Sequence, residues 1–394
     1  MKLDTFTFFS ILIWSNQFIS IGFSSVIFAL AIISLALKYK KIQIKKEINF
    51  LTVFSVFLII EGAYYRNDFF DILRDCLYWL FPLAIFYVGY NIKVNKESVR
   101  IPPVLIYLAI LDASIFLFNF LNSSNIQAET LYSLRQEMGK ISFFSTFIGA
   151  VLIGIPKNQL KVLITTSYSL VIGTSLIILF GVILSQARFQ LFSFVIIALL
   201  CRIGKLDIKF VWKSSLVIGP ILIALFLVFS NTEFFAKTSN SLKELNFAAV
   251  QNLKTQKEIN EVWRAYEAYQ GIQHYLSYDF FGKIFGEGFG AVAKLNQAIT
   301  LKSYESSNLF IWHIAFITLI VKGGIIGLFL YVRFYLKIVY RALIKQNLSL
   351  LIGVSILYIF LGFFTSQGWF APKFYLIVLF VGYLFKSEWY EIQT

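Results

Sequence analysis

Two histidines, His274 and His313, are the only side chains in the sequence whose ordinary pKa suits proton transfer near neutral pH. His313 lies in the apolar stretch SSNLFIWHIAFITLIVKGGIIGL. A hydrogen-bonded core histidine accounts for it as well as a general base does, although an ionisable group at such depth is costly and is a functional candidate by default. Arg188 sits in the short turn SQAR between two apolar runs. An isolated arginine there snorkels from a helix end, while its planar fork also suits a phosphate or carboxylate. Arg264 follows Trp263 in NEVWRAYEAYQ. It can pair with Glu261 or Glu267 on a helix, or bind an anion. Gly286, Gly288 and Gly290 alternate in GEGFG. A dinucleotide site would need a preceding strand and a βαβ unit, so a tightly turned or flexible loop is the preferred reading. Cys76 and Cys201 form no spacing motif, and no metal site or cofactor is expected.

The elements that must position these residues are apolar. Of 394 residues 58% are hydrophobic and 14% charged, against about 25% charged in an average soluble domain. An all-α integral membrane fold follows, with about 11 (10–12) transmembrane helices. Apolar runs fall near 18–37, 49–65, 74–91, 101–121, 141–156, 162–184, 189–204, 210–230, 323–341, 348–364 and 371–385. The segment 5–16 is apolar but short, and no cleavable signal precedes it, so the first span is expected to be retained. Glu61 and Asp112 are the acids read as lying in or at the edge of apolar segments.

Net charge is +14, which in a soluble protein would raise nucleic acid as a partner. Here the excess sits in alternate loops. Five of them, at 38–47, 91–100, 157–161, 202–213 and 333–345, hold 18 basic residues against Glu47, Glu97 and Asp207. The positive-inside rule makes those loops and the C-terminus cytoplasmic, and no nucleic acid is expected. The chain then divides into an N-terminal bundle (1–230), a large extracytoplasmic loop (231–307) and C-terminal spans (308–394). The loop carries eight basic and eight acidic residues. Residues 256–276 read as an amphipathic helix suited to a membrane surface, in a small, helical cap.

In this order and spacing the motifs resemble the O-antigen polymerase and O-antigen ligase superfamily. Arg188 stands where that family has an arginine in a short periplasmic turn opening a span. Trp263-Arg264 precede the Gly286, Gly288, Gly290 turn by some twenty residues. His313 is followed by Phe316, Gly324 and Gly327. Ile314 replaces the usual asparagine and Lys322 the usual acid before the first glycine. The match covers about 180–330, and the N-terminal half resembles the family only as a bundle of spans.

The resemblance implies a multi-pass bacterial inner-membrane glycosyltransferase with its large loop in the periplasm. It would join undecaprenyl-diphosphate-linked oligosaccharide repeat units by metal-independent, inverting transfer. Arg188 and Arg264 would hold the diphosphate, with Trp263 and the three glycines at the donor, and His313 would serve as general base. Membrane lipids and a chain-length regulator protein are the other implied partners. A ligase that passes the glycan to lipid A–core shares this chemistry, and nothing in the sequence separates the two. A flippase for the same lipid-linked sugars is a reading of another class, against which stand the long loop and the lack of related halves. A membrane protein without chemistry is a third. His274 matches no motif and is expected to be structural.

Overall fold

The computed structural model describes residues 4–15, 46–92, 101–122, 141–164, 167–184, 188–204, 250, 259, 263–301, 304–309, 314–345, 348–364 and 368–393. In chain order its elements are α1 (Thr5–Ser15), α2 (Lys46–Tyr64), α3 (Phe69–Asn91), α4 (Pro103–Asn122), α5 (Phe143–Gly154), α6 (Lys157–Leu163), α7 (Tyr168–Leu184) and α8 (Arg188–Ile203). There follow α9 (Trp263–Leu276), α10 (Phe280–Phe285), β1 (Ala293–Leu301), β2 (Tyr304–Leu309), α11 (Ala315–Val339), α12 (Leu350–Phe363) and α13 (Tyr375–Gln393). A π-turn, Tyr340–Ile344, extends α11, and two 3₁₀ turns, Gly368–Phe370 and Pro372–Phe374, precede α13.

The protein is mostly helical. Among the described residues three helices are long and apolar enough to cross a membrane: Phe69–Asn91, Pro103–Asn122 and Ala315–Ile344. The pair α6 and α7 makes a fourth if it is one bent span, and the other apolar helices are shorter. The expected segments 18–37 and 210–230 lie outside the described residues.

Local chemistry sets several helix starts. The Asp68 carboxylate accepts from the N–H groups of Phe70 and Asp71 at the start of α3. Ser142 does the same for Ser145 in α5, and Ser349 for Leu351 in α12. The apolar helices then pack into one large cluster whose centre is aromatic. Trp79 of α3 meets Phe370 at 4.2 Å, Phe289 at 5.4 Å and Tyr331 of α11 at 6.3 Å between ring centroids.

α3 and α13 pack most closely, through reciprocal glycines. A Cβ on Gly89 would lie 2.2 Å from the Leu379 carbonyl oxygen, and one on Gly382 would lie 2.2 Å from that of Phe86. Small residues allow such close helix crossings. Gly382→Leu is therefore expected to separate the pair at a cost of about 3 kcal/mol, read as a lower thermal midpoint of the purified protein. An unchanged midpoint would refute the close crossing.

On the outer faces apolar side chains recur at helical spacing in open exposure. Val53, Val56 and Ile60 do so on α2, Leu73, Leu77 and Leu80 on α3, and Leu176, Phe180 and Ile183 on α7. Contiguous apolar surface of this kind calls for an apolar environment or a partner.

Two features depart from expectation. The apolar segment expected to begin at 323 is already helical from Ala315, because Gly324 kinks the helix (φ 60°, ψ −165°) rather than opening it. The long loop also contains strands. β1 and β2 form an antiparallel hairpin pairing Ala293 with Leu309 and Leu301 with Tyr304, with a register break between Lys294 and Ile299. Buried Ala293 and Leu295 alternate with exposed Lys294, a period-two signal only three residues long.

Candidate functional site

The kink in α11 frees backbone carbonyls, and the glycine-rich turn repairs them. Glu287 N–H donates to the Val321 carbonyl at 3.2 Å and Gly288 N–H to that of Lys322 at 2.9 Å. Phe289 N–H donates to Leu58 of α2 at 2.8 Å. Asn67 Nδ2 donates to the carbonyls of Glu287 and Phe289, both at 2.8 Å. Each backbone amide of the turn thus has a partner, as burial requires. Left-handed backbone makes this path possible: φ is 83° at Gly286, 74° at Gly288 and 86° at Gly290. The side chain of Phe289 is fully buried, plugging the aromatic core beneath.

A charged group sits beside this plug. Lys322 of α11 and Asp75 of α3 are both fully buried and form an ion pair through Nζ and Oδ2. The same Oδ2 accepts from Gly290 N–H at 2.6 Å, and Lys322 Nζ also donates to the Ala291 carbonyl at 3.1 Å. Asp75 Oδ1 faces the Arg74 guanidinium at 3.6 Å, and Arg74 pairs in turn with Asp71. Two acids and two bases make a neutral network that ties α3, α11 and the turn together. Its chemistry is positional. A buried charge is tolerated because it is paired and hydrogen-bonded.

Above the plug lies a more open rim. His274 Nε2 of α9 stands 3.5 Å from Glu287 Oε2, each side chain about a quarter exposed. The His274 ring packs edge-on to Tyr278 at 5.0 Å. Tyr278 donates from its hydroxyl to the Val321 carbonyl at 3.3 Å. Burial, reinforced by the Glu287 carboxylate, pushes the Tyr278 phenol far above its ordinary range, so it stays a donor. His274 thus brings α9 within 3.5 Å of the turn at Glu287.

α9 begins at Trp263-Arg264. Its Ala265, Tyr266 and Ala268 share an apolar cluster with Ile317 and Val321 of α11, and Ile314 packs against the same cluster. The expected amphipathic helix thus covers protein at its N-terminal turns, where its apolar side chains meet those of α11. The side chains of Trp263, Arg264 and Arg188 lie outside the described residues, as does all of His313, which immediately precedes Ile314. Arg188 is the first residue of α8. The next residue, Phe189, packs on Tyr358 of α12 at 6.0 Å, and Phe363 at the far end of α12 meets Phe316 of α11 at 6.4 Å. The structure brings Gly286, Gly288 and Gly290 together with Lys322, and the spaces where their side chains would be are filled by protein. A Cβ on Gly286 would lie 2.4 Å from Lys322 backbone and one on Gly288 would lie 2.1 Å from Gly62 N.

Asp75 is a correction to the sequence reading, which confined acids in apolar segments to Glu61 and Asp112. It lies one residue inside the start of the expected run 74–91, beside Asp71 and Arg74, but α3 starts at Phe69 and carries it into the core. The available signal was Lys322. A lysine within an apolar run needs a buried acid. Asp112, the acid correctly placed inside, accepts from Ser142 N–H at 2.8 Å and from the Ser145 hydroxyl at 2.7 Å. Among the described residues no cluster of three or more His, Cys, Asp or Glu could hold a metal ion. The chain matches no protein-family model, and no curated protein is significantly similar to it.

Proposed function

We propose that this chain is a polytopic membrane glycosyltransferase that polymerises undecaprenyl-diphosphate-linked oligosaccharide repeat units on the periplasmic face. The observation that carries the reading is the apolar cluster shared by α9 and the first half of α11. Arg264 directly precedes Ala265 of that cluster, and His313 directly precedes Ile314, which packs on it. Two residue types suited to diphosphate binding and proton abstraction thus flank one packed unit, held to the helices by the glycine turn. Phe189, the residue after Arg188, packs on Tyr358 of α12, and Phe363 of α12 packs on Phe316 of α11.

A membrane setting is supported by the exposed apolar faces of α2, α3 and α7. Open aromatics, Tyr64, Phe69 and Phe70 by the α2–α3 turn and Phe280 and Phe281 on α10, add the interfacial belt such proteins carry.

The chemistry is a single displacement. An acceptor hydroxyl oxygen attacks the anomeric carbon as its proton passes to the His313 imidazole. The bond from that carbon to the diphosphate oxygen breaks, and the configuration inverts. The leaving lipid diphosphate carries away the bonding pair, its charge met by Arg188 and Arg264.

The test is the lipopolysaccharide ladder of a strain lacking the gene, complemented with wild type or His313→Ala at equal protein level. Core bearing one repeat unit, restored by wild type and not by the variant, is the expected result. Bare core with long polymer left on the carrier would make the protein a ligase. An unchanged ladder would overturn glycosyl transfer to this acceptor altogether.

A further inference from the structure

At the opposite end of α11 from the glycine turn, a cavity of about 260 Å³ opens between α11 and the start of α2. Arg333, Lys337 and Arg341, one helical turn apart, line it, and Phe50, Phe334 and Ile338 complete its apolar wall. Arg333 and Lys337 are exposed, while Phe334 and Ile338 are buried. Phe50 and Phe334 stack at 6.3 Å across the two helices and join their walls. Phe50 is the fifth residue of α2, so the first-turn amides of that helix point their positive dipole end toward the same region.

We propose that this cavity binds the headgroup of an anionic phospholipid, with the phosphate among the three cations and the upper acyl chain against the aromatic wall. Charge complementarity and amphipathy argue for it. Three cations facing one way over an apolar surface match an anion joined to a hydrocarbon better than they match a free anion. Basic pockets between helices at the cytoplasmic side of a membrane are suited to such headgroups. Phe50 and Phe334 also give the site a wall that positive-inside charge alone would not need. The proposal rests on the membrane reading but not on glycosyl transfer.

The experiment uses full-length protein purified in a non-ionic detergent after recovery from the membrane fraction. Phosphatidylglycerol, phosphatidylcholine with the same acyl chains, and inorganic phosphate are titrated separately against thermal unfolding, and lipid adducts are counted by native mass spectrometry. Phosphatidylglycerol should raise the midpoint and remain bound where phosphatidylcholine does not. Lys337→Gln, on the exposed face, should lower apparent affinity about fivefold, and R333Q/K337Q/R341Q by far more. Should the triple variant fold poorly, the single variant decides. Equal effects of the two lipids, or an unchanged affinity in Lys337→Gln, would overturn the proposal. Inorganic phosphate acting as well as the lipid would replace it with a free-anion site. Recovery of the protein outside the membrane fraction would instead overturn the membrane reading.

Discussion

Lys322→Ala is expected to cost about 3–5 kcal/mol of folding stability, the usual effect of removing one partner from a buried ion pair. Lys322 is fully buried, donates to the Ala291 carbonyl as well as to Asp75, and crosses from α11 to α3. With the ammonium gone, the Asp75 carboxylate keeps the Gly290 N–H and the nearby Arg74 guanidinium. Neither fills the vacated volume or satisfies Ala291. Asp75→Leu should cost a similar amount from the other side, since it strands the ammonium and leaves Gly290 N–H unbonded. The informative variant is the double one. Lys322→Met with Asp75→Asn removes both charges, keeps an acceptor for Gly290 and replaces the lysine stem with apolar bulk of similar length. Neutral replacements of a buried pair are often tolerated, so the double variant should be more stable than Lys322→Ala. The readout is the thermal midpoint in detergent together with the monodisperse yield. If Lys322→Ala melts with wild type, the pair does not hold the helices together. A double variant no more stable than Lys322→Ala would mean that charge itself, rather than packing, is required at this point.

That pair explains a departure in the sequence pattern. Where the resembled family has an acid before the first glycine, this chain has Lys322. Asp75 of α3 supplies the opposite charge from a different helix. The pairing spans 247 residues in sequence, so no local pattern could show it. A lysine in an apolar run says only that some acid must meet it. Segments with strong, regular apolar content were legible: the runs at 49–65, 101–121 and 348–364 all fall on helices, with ends shifted by a few residues. Their ends shifted where local signals overrode hydropathy, as at Asp68, whose cap starts α3 ahead of its apolar run.

The loop was less legible. Its GEGFG segment was read as a tightly turned or flexible loop, and it is a tight turn. Its role was hidden because the carbonyls it satisfies are freed by a kink at Gly324, a feature with no hydropathy signature. The hairpin was missed because Ala293, Lys294 and Leu295 give only three residues of alternation before the register breaks. The candidate residues Arg188, Arg264 and His313 were grouped by the family resemblance, and their side chains lie outside the described residues. The described neighbours of two of them, Ala265 and Ile314, meet in the apolar cluster shared by α9 and α11.

Gly288→Ala is expected to dislodge the turn. At φ 74° an alanine is strained by about 1–2 kcal/mol before any contact is made. Its Cβ would then sit 2.1 Å from Gly62 N and 2.6 Å from the Leu58 carbonyl oxygen, both in the backbone of α2. Neither is the end of a flexible side chain, so relief requires the turn and α2 to part. That movement would break the Phe289 N–H bond to Leu58 and draw Phe289 from beside Trp79. It would also weaken the Gly290 contact with Asp75. The cost should therefore exceed the backbone strain by several kcal/mol, comparable to loss of the buried pair. Gly173→Ala is the control: it sits within α7, and a Cβ there meets nothing within 4 Å. Helix propensity predicts that it gains about 0.5–1 kcal/mol. Thermal midpoints of the two variants, with trypsin cleavage at exposed Lys294 as a report on the loop, separate the cases. A Gly288→Ala protein that melts like wild type and resists cleavage would show that the turn does not wedge against α2. If it melts early and is cleaved faster at Lys294, anchoring of the loop depends on this one missing side chain. The helix bearing Arg264 would then lose its fixed relation to α11, and under the proposed function glycan transfer should fall with it, even though Gly288 itself need touch no substrate.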